Sequence, residues 1–355
     1  MTAPEVMRAA VLYGPRDLRV VERPVPEVGP ADVLVKVAMC GTCGTDVGLQ
    51  DDPLPGQPPF GEFIPGHEWT GTVVALGETV DEVAIGQRVA IHVHHGCGRC
   101  VNCLTGSYTA CLNYGDVAKG HRASGLTVAG GFAEYAVQHV SAIHPISDAV
   151  SWEDAVLATT AGTAIYGLER AGGLVAGDTV AIIGPGPVGL MALQSVRAMG
   201  AGTTIMIGTR ENRLALGRQL GADHLINVRE QDPVEVIRDL TNGRGVDLVI
   251  ETSGSAEMPE TSVQLARRAG TVLFLAFYDG PTTFDLNKAN LSEIRLVTSR
   301  GEGRAAVRRS IVLAERGLVR GRDLVTHHYP LDNIQEGFDD LRHRRGDPVK
   351  IVFTP

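Results

Sequence analysis

Four cysteines of this 355-residue chain lie close together in one short segment. The segment reads G-C-G-R-C-V-N-C-L-T-G-S-Y-T-A-C, and its cysteines are Cys97, Cys100, Cys103 and Cys111. A closed structural zinc site commonly uses four thiolates, and two-residue gaps allow successive sulfur atoms to turn toward one ion. Disulfides or unrelated thiols are the alternatives, and disulfides need an oxidising compartment. The spacing therefore favours a structural zinc ion.

The other two cysteines belong to a different pattern. Cys40 and Cys43 lie in C-G-T-C-G-T-D, and the sequence G-H-E-W-T-G follows at residues 66–71. A zinc ion that takes part in chemistry uses three protein ligands and retains an open coordination position. We therefore predict two metal sites, of which one stabilises the fold and the other carries out chemistry.

Composition narrows the classes of function. Apolar residues make up 44% of the chain and charged residues 21%, an ordinary globular balance, and the length fits two domains. The net charge of -9 disfavours nonspecific binding to nucleic acid, whose phosphates require a basic surface. We therefore expect a small-molecule substrate and no nucleic-acid partner.

Neither a secretion signal nor a membrane span is evident in the sequence. The first ten residues contain no apolar stretch of signal-peptide length, and no run of 18 uninterrupted apolar residues occurs. We expect a cytoplasmic protein with no membrane partner. His92, His94 and His95 precede the four-cysteine segment, and we interpret them as histidines on an exposed loop rather than as further metal ligands.

The hydrophobic pattern changes near Ser151. Residues 1–150 contain short β-rich runs separated by Gly, Pro and Asp, and residues 48–63 are predicted to form a surface loop. Beyond Ser151, apolar strands alternate with helical patterns, which is typical of a parallel α/β sheet. Strands are predicted at residues 7–13, 32–38, 71–76, 179–183, 204–207, 247–250, 271–276 and 349–353, and helices at 188–199, 213–220 and 305–316.

A glycine-rich turn follows the apolar strand at residues 179–183. Its sequence G-x-G-x-x-G directly precedes a predicted helix, which is the context that a dinucleotide-binding fingerprint requires. The first glycine allows the tight turn, the second lets the backbone approach a pyrophosphate, and the third allows close packing of helix and strand. The predicted cofactor-binding residues of this turn are Gly184, Gly186, Pro187, Val188 and Gly189.

The end of the next strand bears on the choice of cofactor. NAD-preferring folds place an acidic residue there, whereas a basic residue favours NADP. This chain has Gly208, which is expected to leave room, followed by Thr209 and Arg210, which can bind a 2′-phosphate. Glu211 could instead pair with Arg210 or turn toward a ribose. We favour NADP over NAD.

Together these motifs resemble the zinc-containing medium-chain dehydrogenase/reductase family, which includes alcohol, polyol and threonine dehydrogenases. The resemblance covers essentially the whole chain and also includes G-G-F-A-E-Y at residues 130–135. It implies an α/β protein in which a Rossmann doubly wound parallel sheet, residues 156–295, is inserted into a GroES-like β-rich catalytic domain. That catalytic domain would comprise residues 1–155 and 296–355 and carry the structural-zinc lobe at about residues 92–115.

The resemblance also implies roles for individual residues. Cys43 and His67 would be ligands of the catalytic zinc, and Glu68 is a ligand in sorbitol-dehydrogenase-like members but supports the ligands without binding the metal in others. Thr45 resembles the hydroxyl that takes the substrate proton, and Asp46 resembles the acid that orients the histidine ligand. Cys40 is implied to be a nearby thiol with no required role. Thr163 resembles the threonine that lies near the nicotinamide.

Two positions depart from the family pattern. A neutral Thr159 stands where the family has a third zinc ligand or a key acid, so we expect zinc to be held by Cys43, His67, Glu68 and water. Gly48 replaces a histidine that ends the proton relay in many members. Two alternatives therefore stay open. One is a reductase of activated alkenes or carbonyls with only the structural zinc, and the other is a non-enzymatic redox sensor that binds nucleotides.

The predicted activity is hydride transfer between NAD(P) and an alcohol or carbonyl compound. Zinc would act as a Lewis acid on the alcohol, and the nicotinamide would accept the hydride. A polyol, a sugar or amino alcohol, or a small secondary alcohol would each fit. The resemblance further implies a homo-oligomer, either a tetramer or a dimer.

Overall fold

The computed structural model describes residues 3–355 and divides the chain into two compact units. The first unit comprises residues up to 159 together with residues 301–315 and 320–355, and the second comprises residues 160–300 and 316–319. Within the described residues, no helix is long and apolar enough to cross a membrane.

Strands dominate the N-terminal part of the first unit, in agreement with the β-rich pattern of its sequence. The elements in chain order are β1 (Val6–Gly14), β2 (Asp17–Pro24), β3 (Asp32–Gly41), α1 (Gly44–Asp51), β4 (Glu68–Leu76), β5 (Arg88–Ile91), β6 (His94–His95), α2 (Val101–Leu104), β7 (Arg122–Ala123), β8 (Tyr135–His139), β9 (Ile143–Pro145) and α3 (Trp152–Val156). Because α1 extends to Asp51, the prediction of a loop over the whole of residues 48–63 is wrong at its start.

The second unit alternates helices with strands, as the periodicity predicts. Its elements are α4 (Ala158–Arg170), β10 (Thr179–Ile183), α5 (Pro187–Ala198), β11 (Thr203–Gly208), α6 (Glu211–Gln219), β12 (His224–Asn227), α7 (Pro233–Leu240), β13 (Val246–Glu251), α8 (Met258–Leu265), β14 (Ala266–Phe274), α9 (Leu286–Leu291) and β15 (Arg295–Thr298). All five strand pairings are parallel, and the strand order is β12-β11-β10-β13-β14-β15. This is the doubly wound order that switches direction beside β10, where such sheets bind ligands.

The chain then returns to the first unit. The remaining elements are α10 (Arg304–Glu315), β16 (Val325–Pro330), α11 (Ile334–His343) and β17 (Lys350–Thr354). Strand β17 pairs antiparallel with β3 and joins a seven-stranded sheet of order β16-β17-β3-β4-β5-β9, in which β8 also pairs with β3. The two ends of the chain therefore share one sheet.

An aromatic cluster fills the interior of the first unit where these distant segments meet. The ring of Phe132 contacts Phe338 and Phe353 edge to face, with centroids 5.7 and 5.5 Å apart, and all three side chains are fully buried. Such pairs are favourable because the positive edge of one ring faces the negative face of the other. Phe132 also lies against Gly66, where an added Cβ would come within 2.8 Å of its ring. The cluster thus supports the turn that precedes His67.

We expect Phe132→Ala to lower the free energy of unfolding by about 3–5 kcal/mol, because it removes a buried ring and leaves a cavity. Urea denaturation monitored by circular dichroism measures the change. The control is Phe60→Ala, since Phe60 is 40% exposed and its loss should have little effect. Equal losses in the two variants would contradict the importance of the cluster.

Candidate active site and metal centres

One candidate metal centre lies where β3 ends and α1 begins. Cys43 directly precedes α1, and its backbone N–H donates a 2.8 Å hydrogen bond to Oδ2 of Asp46 in the first turn. The Asp46 carboxylate thus satisfies the Cys43 backbone N–H, one of the donors that the start of a helix otherwise leaves without a partner. It also fixes the half-buried Cys43 side chain, whose Sγ lies 3.7 Å from Oγ1 of Thr45.

The second oxygen of Asp46 orients a histidine from a different segment. Oδ1 of Asp46 lies 3.1 Å from Nδ1 of His67, and both side chains are buried. Burial by itself lowers the pKa of His67, but Asp46 and Cys43 together raise this pKa well above its ordinary value. A ring held through Nδ1 presents Nε2 for ligation, which is how outer carboxylates orient metal-binding histidines.

Glu68 completes the group at the first residue of β4. One ligand atom from each of Cys43, His67 and Glu68 lies within 4.8 Å of the other two. Thiolate, imidazole and carboxylate donors at this separation suit zinc, whose bonds to them are about 2.0–2.3 Å long. Three protein ligands leave a fourth position open, as catalytic sites require. The sequence-predicted donors are therefore brought together by the fold.

A buried lysine from β17 neutralises part of this site. Nζ of Lys350 forms an ion pair with Oε2 of Glu68 and donates a 2.7 Å hydrogen bond to the carbonyl oxygen of Thr42. Lys350 is only 2% exposed, and an unpaired ion buried to that degree would be strongly destabilising. This residue was not among those predicted from the sequence. The available signal was a charged residue at the start of the apolar strand K-I-V-F.

The two positions that depart from the family pattern have simple local explanations. The Thr159 hydroxyl is buried and donates a 3.0 Å hydrogen bond to the carbonyl oxygen of Ile91, so its side chain is held by the backbone of β5. It does not join the Cys43 group among the described residues. Gly48 is exposed on α1, and a Cβ there would meet no atom within 4 Å. Open space therefore lies on the same helix face as Thr45, three residues earlier.

The second candidate metal centre is the four-cysteine segment. The Sγ atoms of Cys97, Cys100, Cys103 and Cys111 lie within 4.8 Å of one another, and two of the pairs are separated by 3.9 Å. Four thiolates bound tetrahedrally to zinc have sulfur atoms about 3.8 Å apart. A disulfide would instead require about 2.05 Å, and all six cysteines of the chain are free thiols. The geometry fits a closed zinc site.

The surroundings act in opposite directions on the thiols of this segment: hydrogen bonds lower the pKa values of Cys97 and Cys100, and burial raises those of Cys103 and Cys111. The N–H of Arg99, followed by the amide of Asn113, lowers the pKa of Cys97 to about 6, while burial raises the pKa of Cys103 to about 12. Nδ2 of Asn113 lies 3.1 Å from Sγ of Cys97. Cys40, by contrast, is buried outside both groups, and burial raises its thiol pKa well above the ordinary value.

The expectation that His92, His94 and His95 lie on an exposed loop is wrong. His92 and His94 are 1% and 4% exposed, and His95 is half-buried, because the chain runs from β5 into β6 through the interior. Nδ1 of His92 lies 2.9 Å from Nε2 of His144. His94 Nδ1 lies 3.4 Å from a carboxylate oxygen of Glu302. The histidines are buried polar groups, and none belongs to a metal-binding group among the described residues.

The glycine-rich turn of the second unit has the form that a pyrophosphate site requires. Gly184 adopts φ +99°, Gly186 precedes the first turn of α5, and Pro187 is the first residue of that helix. A Cβ at Gly189 would lie 2.0 Å from the carbonyl oxygen of Gly184, whereas a Cβ at Gly186 would meet nothing within 4 Å. The middle glycine therefore faces open space beside free helix N–H groups, where an anion can bind. Val188 continues the same first turn.

Residues that follow β13 hydrogen-bond to this glycine-rich turn. The hydroxyl of Thr252 donates hydrogen bonds to the carbonyl oxygens of Ile183 and Gly184, at 2.8 and 3.0 Å. Glu251, fully buried, accepts hydrogen bonds from the Ser253 backbone and the Tyr278 hydroxyl at 2.7 and 2.5 Å. Burial, together with Glu251, raises the pKa of Tyr278. These residues were not predicted from the sequence, because the parallel sheet is what brings them together.

The predicted ribose end of the dinucleotide site lies at the end of β11. Gly208, the last residue of β11, is buried, and a Cβ there would lie 2.5 Å from Cδ of Pro185. The expectation that Gly208 leaves room for the cofactor stays a prediction, and the structure adds that the ring of Pro185 lies where a Cβ would stand. Thr209 is exposed, and Arg210 directly precedes α6. Thr163, the predicted neighbour of the nicotinamide, is half-buried on α4.

The buried pair of His92 and His144 predicts a pH dependence of stability. Burial, followed by Arg304 and Arg308, lowers the pKa of His144 from 6.5 to about 4. The unfolded chain takes up this proton below about pH 6.5, but the folded chain does not until about pH 4, so stability falls as pH falls through this window. At pH 4.5 the loss from His144 should be about 2–3 kcal/mol relative to pH 7.

Chemical denaturation at pH 7 and pH 4.5 tests this expectation. The wild type should lose more stability on acidification than His144→Asn, whose amide does not titrate, and the difference should be about 2–3 kcal/mol. His343→Asn is the matched control because His343 is exposed on the surface. An identical pH dependence in the wild type and His144→Asn would contradict the argument.

Known dehydrogenases are similar to this chain over nearly its whole length. A family model described as zinc-binding dehydrogenase matches residues 187–316, and one described as alcohol dehydrogenase GroES-like domain matches residues 29–148. Sorbitol dehydrogenase from Bacillus subtilis (strain 168) is 32% identical over 357 residues, which cover 100% of this chain and 99% of that protein. L-threonine 3-dehydrogenase from the same organism is 32% identical and covers 94% of each chain.

The solved structures show the same similarity. A zinc-binding dehydrogenase from Sinorhizobium meliloti 1021 bound to NADP has a TM-score of 0.90 and 30% identity, and the match covers 99% of this chain and 100% of that one. The predicted fold class, a GroES-like β-rich domain with a Rossmann doubly wound sheet, is confirmed. The predicted enzyme class, an NAD(P)-dependent dehydrogenase acting on CH–OH donors, is also confirmed. The chain therefore belongs to the zinc-containing medium-chain dehydrogenase/reductase family.

Proposed function

We propose that this protein is a zinc-dependent oxidoreductase that transfers hydride between NADP, in preference to NAD, and an alcohol or carbonyl substrate. The observation that carries the proposal is the convergence of the donor atoms of Cys43, His67 and Glu68 within 4.8 Å. A structural role alone does not require three different donor types with an open fourth position. The carboxylate of Asp46 behind His67 and the ammonium group of Lys350 behind Glu68 are the supports that a defined ligand geometry needs.

The proposal assigns two zinc ions to each chain. Cys43, His67 and Glu68 would hold the catalytic zinc, and the structural zinc would be held by Cys97, Cys100, Cys103 and Cys111. When bound, the catalytic zinc supplies Lewis acidity that eases loss of the alcohol proton, and the nicotinamide supplies the hydride acceptor. We assign zinc binding to the first compact unit and dinucleotide binding to the second.

The protein side chains then have distinct tasks. Asp46 holds the His67 ring and the Cys43 backbone in place, and Lys350 fixes one oxygen of Glu68 so that the other is available for ligation. The Thr45 hydroxyl, 3.7 Å from Sγ of Cys43, would accept the substrate proton and pass it outward. Because Gly48 leaves open space on that helix face, water would carry the proton from there to solvent.

The dinucleotide would bind along the carboxyl ends of β10 and β11. The pyrophosphate would lie over Gly186 at the start of α5, and Gly184, Pro187, Val188 and Gly189 would shape that turn. Thr163 would lie near the nicotinamide. Gly208, Thr209 and Arg210 would line the ribose end of the site. The bound NADP in a structure of the same fold supports this cofactor choice.

The substrate class is proposed from the relatives. Full-length similarity to a sorbitol dehydrogenase and a threonine dehydrogenase supports a polyol, a sugar or amino alcohol, or a small secondary alcohol. We also propose a homo-oligomer, tetramer or dimer, and a cytoplasmic location in which six free thiols stay reduced. Light scattering during gel filtration measures the oligomeric state directly.

Zinc content tests the two-site assignment. The wild type should contain about two zinc ions per chain, whereas Cys43→Ala should lose one and retain the other. We expect alcohol oxidation to fall at least about 1000-fold in Cys43→Ala, because Lewis-acid stabilisation is worth several kcal/mol. Elemental analysis and a substrate panel with NADP and NAD provide the two measurements.

A matched control comes from the neighbouring thiol. Cys40→Ala should keep both zinc ions and most of the activity, since Cys40 is buried outside both ligand groups. A wild type with one zinc ion that survives the Cys43 substitution would refute the catalytic site. Reduction of activated alkenes by Cys43→Ala would favour the zinc-free reductase, and cofactor binding without any turnover would favour the redox sensor.

The open space at Gly186 predicts a separable effect on the cofactor. Gly186→Ala should leave the melting temperature nearly unchanged, because the added Cβ meets no protein atom within 4 Å. It should weaken NADP binding by about tenfold or more, because the methyl group stands where the pyrophosphate approaches. Isothermal titration calorimetry measures the change. Gly14→Ala, which also adds a Cβ to open space, is the control and should bind NADP normally.

A further inference from the structure

Position 208 is the point at which this fold can distinguish NAD from NADP. An acidic side chain at the end of the second strand accepts hydrogen bonds from a ribose hydroxyl and repels a 2′-phosphate. Gly208 occupies this place at the end of β11. In parallel register, Ile183 of β10 is paired with Ile207 of β11, so the glycine turn after β10 lies beside Gly208.

A proline from the glycine-rich turn occupies the volume where a side chain at position 208 would begin. A Cβ at that position would lie 2.5 Å from Cδ and 2.6 Å from Cγ of Pro185. Carbon atoms in favourable contact are about 3.5–4.0 Å apart, so both approaches are strongly repulsive. On another side, Cδ2 of Leu214 would be 3.5 Å away, which is ordinary contact. The obstacle is therefore the proline ring alone.

Pro185 has little freedom to move away. Its ring is closed onto its own backbone, which removes the rotations by which a longer side chain could yield. The preceding Gly184 donates a 2.9 Å hydrogen bond from its backbone N–H to the carbonyl oxygen of Ile207 and has φ +99°. A Cβ at Gly184 would itself meet Ser253 and Thr252 at 2.9 Å. The turn that carries Pro185 is thus packed on the sheet side.

Two of the five residues that follow Gly208 are arginines, and the acidic Glu211 that lies between them is exposed. Arg210 precedes α6, and Arg213 lies three residues further on, so the two project from neighbouring positions of one turn. Both are half-buried, whereas Thr209 is exposed. A guanidinium group recognises phosphate through a planar pair of donors. A site that excludes an acid at position 208 and presents arginines beside it suits a ribose with a 2′-phosphate.

We propose that the ring of Pro185 restricts position 208 to glycine, so that the acidic side chain by which this fold favours NAD cannot be accommodated there while Pro185 is present. This inference rests on the proposed dinucleotide-dependent function and deepens it. Pro185 need not contact the cofactor, because it acts through the volume that it denies to residue 208. The coupling between the two positions follows: a substitution at Gly208 is tolerated only after Pro185 is changed.

A double-mutant comparison tests the coupling in the full-length protein. We expect Gly208→Ala to lower the melting temperature by several degrees and Pro185→Ala/Gly208→Ala to recover most of that loss. Pro187→Ala is the matched control, since this proline lies in the same turn but not against position 208. It should not rescue Gly208→Ala. If the double variant at 185 and 208 is no more stable than Gly208→Ala, Pro185 is not the obstacle and the proposal fails.

Binding measurements test the consequence for the cofactor. Calorimetry with adenosine 2′,5′-bisphosphate and AMP, and with NADP and NAD, needs no turnover. The wild type and Pro185→Ala should prefer the phosphorylated ligands, and Pro185→Ala/Gly208→Asp should shift the preference toward AMP and NAD by about tenfold or more. A Gly208→Asp single variant that keeps the wild-type melting temperature and prefers NAD would overturn the inference.

The outcomes separate this inference from the proposed function. A double variant at 185 and 208 that is no more stable than Gly208→Ala, while the wild type oxidises alcohols, would overturn this inference and leave the zinc-dependent oxidoreductase standing. Absence of both dinucleotide binding and alcohol oxidation would overturn the proposed function itself.

Discussion

The carboxylate of Asp46 joins the two segments on which the first candidate metal centre depends. One oxygen accepts the Cys43 backbone N–H and the other faces Nδ1 of His67, 21 residues away. Asp46 is fully buried, so this carboxylate depends on such hydrogen bonds for its stabilisation. The start of α1, the direction of the Cys43 thiol and the orientation of the His67 ring are thereby set together. Loss of the carboxylate would release all three.

A second electrostatic constraint holds the other side of the same centre. Glu68 and Lys350 form an ion pair with both side chains buried, and the pair also ties β17 to the segment between β3 and α1 through the Thr42 carbonyl oxygen. Removal of one partner from such a pair leaves an uncompensated buried charge, which typically costs about 3–5 kcal/mol. The ion pair therefore stabilises the sheet as well as the position of Glu68.

Features that lie within one short stretch of sequence were predictable. The alternation of strands and helices beyond Ser151, the glycine turn after β10 and the grouping of four cysteines all have local signals, and the structure shows each as a local element. The end of α1, residues 48–51, was predicted as loop because the helix is short and includes two glycines, Gly44 and Gly48. Glycine has poor helix propensity, and capping by Asp46 compensates for it.

Features that depend on contacts between distant segments were not predictable in the same way. The burial of His92 follows from its pairing with His144, 52 residues away, and Lys350 meets a partner 282 residues away. The constraint on Gly208 comes from a proline in a neighbouring strand's turn. Periodicity and motif spacing carry no information on which side chains face one another across a sheet. In each case the role of the residue depends on a partner elsewhere in the chain, which its local sequence does not indicate.

The position of Lys350 has a consequence for the order in which the two metal centres can be assembled. The four cysteines span residues 97–111, so they can gather around an ion by closing one short loop. The Cys43 group has to wait for β17, because only then does the buried Glu68 carboxylate acquire its counter-charge. During synthesis from the N-terminus, the four-cysteine group can therefore gather while most of the chain is still unmade, whereas the Cys43 group is complete with its counter-charge only after β17 has joined the sheet.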